Sequence, residues 1–291
     1  MSDDINRINS LIMNHIGRRT LLKDMLGYLP AHVVPAIANI ALLPVITRFL
    51  RPEDYGHYTL VLATVSVLTI FTGWISMAVV RFYPACKDEI NLKELYGSAF
   101  VWMVFSVFTL AMAFLFVTLA LAKRMPANFS SGMSIGVLLF VFLAIFDVLQ
   151  SFLRIRRRVH WYTVSAIWKT LVGLGLGIWL AIVWNNGVKG LLWGSCLALA
   201  VATPFLWLLS TKGVRFGLRD FSLDLSKEMA RYSFPLVVGN LAAWILSLSD
   251  RYILQFFRGS FEVGLYSVSY RVSESSIMLL ASLFAVAFNP L

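Results

Sequence analysis

Charge is scarce in this chain of 291 residues: 14% are Asp, Glu, Lys or Arg, against about 25% in an ordinary soluble domain. Acids are scarcer than bases, 15 against 25, which leaves a formal net charge of +10. That shortage argues against a soluble domain. It also argues against a basic nucleic-acid module, which needs a solvated cationic face, because the bases here sit in short breaks between apolar runs. Cysteine is nearly absent. Cys86 lies in a polar loop and Cys196 in an apolar run, so no disulfide framework is indicated and the redox compartment stays open. His32 and His57 lie near Pro30 and Gly56, but no His or Cys pair has metal-ligand spacing, and there is neither a glycine-rich phosphate loop nor a nucleophile elbow. The first 23 residues, with Asp3, Asp4 and Arg7, lack the apolar core of a cleaved signal peptide and read as a solvated tail.

What the chain has is apolar length. It is 59% hydrophobic with a mean hydropathy of +0.76. Eight segments are long enough to cross about 30 Å of hydrocarbon, which takes roughly 20 apolar residues. They are Met25–Thr47, Tyr58–Val80, Gly97–Ala122, Met133–Leu153, Trp161–Trp184, Gly190–Ser210, Tyr232–Phe257 and Val263–Pro290. Lipid offers no partner for backbone polar groups, so segments of this length fold as helices. The expected fold class is an all-α integral membrane protein of about eight transmembrane helices. Gly173, Gly175 and Gly177 favour close packing of the fifth. Sixteen Lys and Arg fall in the tail and the second, fourth and sixth connections, and six in the other connections. The positive-inside rule therefore places the N-terminus and the basic connections in the cytoplasm.

The beginning of the chain is echoed near its end. Lys23-Asp24-Met25 and Tyr28 return as Lys227-Glu228-Met229 and Tyr232. Gly56-His57-Tyr58 returns as Gly264-Leu265-Tyr266, and Pro84 as Pro290, at offsets of 204, 208 and 206 residues. Six spans separate the first helix from the seventh, so the copies share an orientation and form a parallel repeat about an axis along the membrane normal. The organisation expected is a cytoplasmic tail (1–23), a six-helix lobe (24–211), a polar cytoplasmic linker (212–231) and the first two helices of a second lobe (232–291). The chain reads as a partial one.

Ionisable groups inside spans cost at least about 2.5–3.5 kcal/mol each on insertion scales, and each needs a reason. Asp250 and Arg271 lie about equally far from the turn between the seventh and eighth helices, which suggests a pair across the hairpin, with Glu274 on the face of Arg271. One reading is a structural ion pair. The other is that Arg251 or Arg271 faces a water-filled lumen and attracts an anionic head group. Lys169 either snorkels or contacts phosphate. Asp147 is expected to pair with the Arg154–Arg158 group, a run suited to anionic lipid. Arg81 ends the second helix and Arg48 begins the first outer turn, so each is a candidate at one mouth of a path. Arginine suits phosphate because its planar fork donates two hydrogen bonds at once.

Five motifs in order carry a resemblance. They are the run from Thr47-Arg48-Phe49 through Pro52-Glu53-Asp54-Tyr55-Gly56-His57-Tyr58, then Arg81-Phe82-Tyr83, Tyr232-Ser233-Phe234-Pro235, Ser249-Asp250-Arg251-Tyr252, and Val263-Gly264-Leu265-Tyr266-Ser267. Over about the first 285 residues the chain resembles the polysaccharide flippases, O-antigen translocases of the multidrug/oligosaccharidyl-lipid/polysaccharide exporter superfamily. The resemblance implies two six-helix lobes around a central cavity, so most of the second lobe would be missing from this chain. It implies a transporter, not an enzyme, in the bacterial inner membrane. This transporter flips undecaprenyl-pyrophosphate-linked oligosaccharide from the cytoplasmic to the periplasmic leaflet by alternating access. Arg48, Arg81, Asp250, Arg251 and Arg271 match the motifs, whereas Lys169 and Asp147 rest on burial alone. No cofactor is implied, and coupling to protons or sodium stays open. The partners implied are the lipid-linked oligosaccharide, membrane lipids and a polysaccharide polymerase or chain-length regulator, with no nucleic acid. The competing readings are a drug or metabolite antiporter of the same superfamily, a membrane enzyme, for which the outer connections are too short, and a non-transporting scaffold.

Overall fold

The computed structural model describes residues 27–86, 88–124 and 126–288. The N-terminal tail and the Lys23-Asp24-Met25 copy of the repeat lie outside them, as does Pro290. Eight long helices follow one another: α1 (Gly27–Phe49), α2 (Pro52–Phe82), α3 (Glu89–Leu121), α4 (Ala127–Ile155), α5 (Val159–Val183), α6 (Gly187–Thr211), α7 (Leu223–Arg258) and α8 (Ser260–Phe288). Seven of them, α1 to α7, are long and apolar enough to cross a membrane. No strand occurs among the described residues. The all-helical class expected from hydropathy is present, with eight long helices, of which seven qualify as spans among the described residues.

Helix ends overrun the apolar runs where polar residues suit a helix terminus. α2 starts at Pro52 instead of Tyr58, with Pro in its first turn followed by Glu53 and Asp54. Proline tolerates that position, and the two carboxylates complement the partial positive charge of the N-terminus. α7 starts at Leu223, because Ser222 caps it by accepting from Leu225 N–H at 3.4 Å, with Asp224 in the first turn. Residues 223–231 are therefore helix, and the non-helical connection between α6 and α7 is confined to 212–222, with a short 3-10 turn at Leu218–Asp220.

The core lies where α2, α4 and α6 pack together, with α3 on the flank of α4 and α5 against α6. At one end of the bundle the even-numbered connections gather. Arg156 Nη1 donates to the carbonyls of Ser210 and Lys212 at 3.0 and 2.7 Å, and Arg158 Nη1 donates to that of Leu209 at 2.8 Å. Ser222 N–H donates to Ser98 Oγ at 3.0 Å, and Tyr96 stacks on Phe152 at 4.2 Å. This is the basic end. At the opposite end the N-termini of α2 and α8 cross with backbones in contact: a Cβ on Gly56 would overlap the Ser260 carbonyl, and one on Gly264 the Pro52 carbonyl. Only glycine permits that approach. α7 and α8 both lie against α2, which is the wall shared by the first six helices and the last two.

Candidate functional site

Tyr55, Thr59, Leu62, Ala63 and Ser66 recur at helical spacing along one face of α2. That face borders a cleft of about 230 Å³, closed on the other side by Leu248 and Arg251 of α7 and by Ser267, Arg271 and Glu274 of α8. Three of the ionisable residues singled out from the sequence thus share one wall-to-wall space. Two are guanidiniums and one is a carboxylate, and a second carboxylate, Asp250, stands beside Arg251 just outside the lining.

Arg251 is only 6% exposed. Its Nε donates to Ser267 Oγ at 3.3 Å and its Nη1 to the Ser247 carbonyl at 3.1 Å, while its guanidinium carbon lies 4.8 Å from the Tyr270 ring centre. The neighbouring carboxylate of Asp250 accepts from Arg251 N–H at 2.8 Å and from the Tyr266 hydroxyl. It stands 3.9 Å from Arg251 Nη1, a loose ion pair.

Arg271 leaves the α7–α8 hairpin altogether. Its Nη2 donates to Asn39 Oδ1 of α1 at 2.8 Å and its Nη1 to the Tyr55 hydroxyl of α2 at 3.3 Å. The Asp250–Arg271 pair suggested by their distances from the turn is not formed. Asp250 turns to Arg251 and Tyr266, and Arg271 reaches to α1 and α2. No carboxylate lies within ion-pair distance of Arg271 among the described residues. Glu274 acts on it from farther off, and Glu274 itself is exposed. Two neutral oxygens hold the Arg271 cation in place.

Polar contacts run from this cleft along the α2 interface. Thr59 and Ser267 hydroxyls lie 3.2 Å apart, Thr64 and Tyr252 hydroxyls 2.8 Å apart, and Trp244 Nε1 donates to Ser66 Oγ at 2.8 Å. At the non-basic end His57 Nε2 meets Ser260 Oγ at 2.8 Å, and Ser260 donates to Gln255 Oε1 at 2.9 Å. Sequence reasoning missed Asn39, Tyr55, Thr59 and Ser66. The spacing of the last three along α2 was a legible signal. Asn39, a neutral residue in an apolar span, offered none.

The other candidates lie elsewhere. Arg48 is exposed at the last turn of α1, outside the cleft lining. Arg81 is exposed at the end of α2, with its guanidinium carbon 5.7 Å from the Tyr232 ring centre of α7. Lys169 Nζ lies 5.1 Å from the Phe146 ring centre, and its charge acts on Asp147. The expected pairing of Asp147 with the Arg154–Arg158 group is not found. Arg156 and Arg158 donate to carbonyls at the end of α6, and Arg154 and Arg157 are exposed. No cluster of His, Cys, Asp and Glu able to hold a metal ion occurs among the described residues.

A family model described as polysaccharide biosynthesis protein matches residues 21–291. No curated protein matches the sequence. Among solved structures, a MATE protein in complex with Br-NRF superposes with a TM-score of 0.67 at 16% identity, over 92% of this chain and 66% of that one. An outward-facing multidrug resistance MATE family transporter of the MOP superfamily gives a TM-score of 0.68 at 17% identity, over 91% and 63%. A MOP superfamily transporter from Pyrococcus furiosus, described as having a binding pocket of reverse polarity that suggests a different function, gives 0.66 at 17% identity, also over 91% and 63%. The chain therefore spans a little under two thirds of the length of these structures. Over that length its eight helices share the fold of these structures.

Proposed function

The chain belongs to the polysaccharide biosynthesis protein family and shares its fold with solved membrane transporters, and from these we propose that it moves a lipid-linked oligosaccharide with an anionic pyrophosphate head across the bacterial inner membrane. One observation carries the substrate class. Arg251 and Arg271 line a single cleft between the first lobe and the start of the second, with one carboxylate against two guanidiniums. Arg271, held there by neutral oxygens, is the group in the cleft that suits a phosphorylated head. On this reading access alternates as α7 and α8 part from α2, which would open the cleft between them. The N-terminus and the basic end face the cytoplasm by the positive-inside rule. Undecaprenyl-pyrophosphate carrying an O-antigen or other surface-polysaccharide repeat is the substrate this reading names, with a polymerase or chain-length regulator downstream.

The drug or metabolite antiporter is the second reading, favoured by likeness to a multidrug resistance transporter. It calls for carboxylates in the binding space, and here guanidiniums outnumber them. The Pyrococcus furiosus protein indicates that pocket polarity varies within this fold.

The test is Arg271→Gln, and separately Arg251→Gln, in cells that depend on this protein for surface polysaccharide. Export should fall at least tenfold while membrane protein levels hold. Normal export by both variants would remove the cleft from the mechanism. Extrusion of a fluorescent organic cation by the unaltered protein, with no effect on polysaccharide, would favour the antiporter.

A further inference from the structure

A groove of about 370 Å³ lies between α5 and α6 toward the basic end, remote from the cationic cleft. It arises from the way the hairpin packs. Near the α5–α6 turn glycines remove the side chains between the helices, so a Cβ on Gly190 would overlap Ala181 and one on Gly194 would overlap Gly177. Between 161 and 172 on α5, and from 195 onward on α6, there is no glycine. Aromatic side chains hold the helices apart there, with Trp161 and Trp168 on one wall and Phe205 on the other.

The polar groups of Trp168 and Ser165 in the groove are already engaged. Trp168 Nε1 is occupied by the Ala198 carbonyl at 3.0 Å. The hydroxyl of Ser165, which also lines the groove, donates to the Tyr162 carbonyl at 2.9 Å and accepts from Gln150 Nε2 at 3.0 Å. What remains is apolar and open, with Val201 61% exposed along its edge.

The groove ends under cations. Leu209 lines it, and the Leu209 carbonyl is the acceptor of Arg158 Nη1 at 2.8 Å. Arg157, adjacent and at φ 52°, is exposed, and its guanidinium has no partner among the described residues. Arg154 is exposed as well. The segments that line the groove and make the arginine contacts at its end, 154–168 and 201–212, contain no Asp or Glu and five Lys or Arg. An apolar slot with an acid-free cationic rim at one end complements a molecule with a long hydrocarbon chain and a terminal anion.

We propose that this groove holds an acyl chain of an anionic membrane phospholipid, with its phosphate at Arg157 and at the guanidinium nitrogens of Arg158 not engaged by Leu209. The site is independent of the cationic cleft and of the substrate assigned to it.

The experiment is native mass spectrometry of the purified chain, offered equal amounts of phosphatidylglycerol and phosphatidylcholine. Phosphatidylglycerol should be retained in clear excess. Arg157→Gln should cut that excess by about fivefold, the effect of one cation near a lipid phosphate. Val201→Trp, which fills the groove from an exposed position, should remove retained lipid of both kinds without lowering the melting temperature. Equal retention of the two lipids, or an excess unmoved by Arg157→Gln, overturns the proposal. An excess that survives Val201→Trp reduces the site to a head-group patch and overturns the groove. Displacement of phosphatidylglycerol by equimolar polyprenyl phosphate assigns the groove to an isoprenoid chain and overturns the occupant named here.

Discussion

Thr59 and Ser267 meet hydroxyl to hydroxyl at 3.2 Å although 208 residues separate them in the chain. The same separation relates Gly56 to Gly264 and Pro52 to Ser260. Gly56 packs on the Ser260 carbonyl and Gly264 on the Pro52 carbonyl. When residue i touches j and the counterpart of j touches the counterpart of i, the contact is that of a two-fold axis. The axis passes beside Thr59 and Ser267. It gives the sequence repeat its geometric meaning, because α2 and α8 are equivalent helices that cross at their N-termini.

The crossing tolerates no side chain at either glycine. Gly56→Ala and Gly264→Ala should each destabilise the α2–α8 contact by about 1–3 kcal/mol, the usual cost of overpacking. Thermal unfolding in detergent reads that loss. Oxidative cross-linking of a Thr59→Cys/Ser267→Cys pair should be efficient in the parent and poor once Gly56→Ala is added. Equal yields would show that the crossing does not depend on the glycine.

Arg271 bridges Asn39 and Tyr55 with two different nitrogens. Lysine keeps the charge but cannot span both acceptors. Arg271→Lys should weaken anion handling by about 1.5–3 kcal/mol, the scale of hydrogen bonds to charged groups. Tyr55→Phe, which removes only the longer bond, should cost less. Polysaccharide export titrated against protein level separates the two. A lysine variant as active as the parent would show that charge alone suffices.

Lys169 packs over the Phe146 ring, and its charge acts on the neighbouring half-buried Asp147. Neutralising one leaves the other partly buried and uncompensated, so Asp147→Asn and Lys169→Gln should each destabilise by about 1–3 kcal/mol. The double variant should recover most of that loss. Additive losses would mean that the two charges do not sense one another.

Cys86 lies just beyond α2, and burial, with the nearby Glu94 carboxylate, pushes its thiol above the ordinary range. Its Sγ also donates to the carbonyls of Phe82 and Asn91 at 3.5 and 3.6 Å. Maleimide labelling at pH 8 should be slower than for an unfolded control and should rise as pH increases through the shifted value. The sign for stability follows. As pH rises past the ordinary thiol pKa, the unfolded chain loses its proton first, so folding weakens there until the folded thiol also ionises. Labelling as fast in the folded protein as in the unfolded control would refute the shift.

Hydropathy alone determined the eight helices, because each stretch of some 20 apolar residues has one way to satisfy its backbone in lipid. The recurring Gly-x-Tyr likewise marked the duplicated unit, since a backbone crossing needs glycine in both copies. Partnership among the charges was decided only by the tertiary structure. Counting residues from a turn placed Asp250 opposite Arg271, but rotation about the helix axes aims Asp250 at Tyr266 and Arg271 at Asn39 and Tyr55. Depth along a helix can be read from a string of letters. Azimuth, which selects the neighbour that a charged group meets, is fixed only when the helices pack.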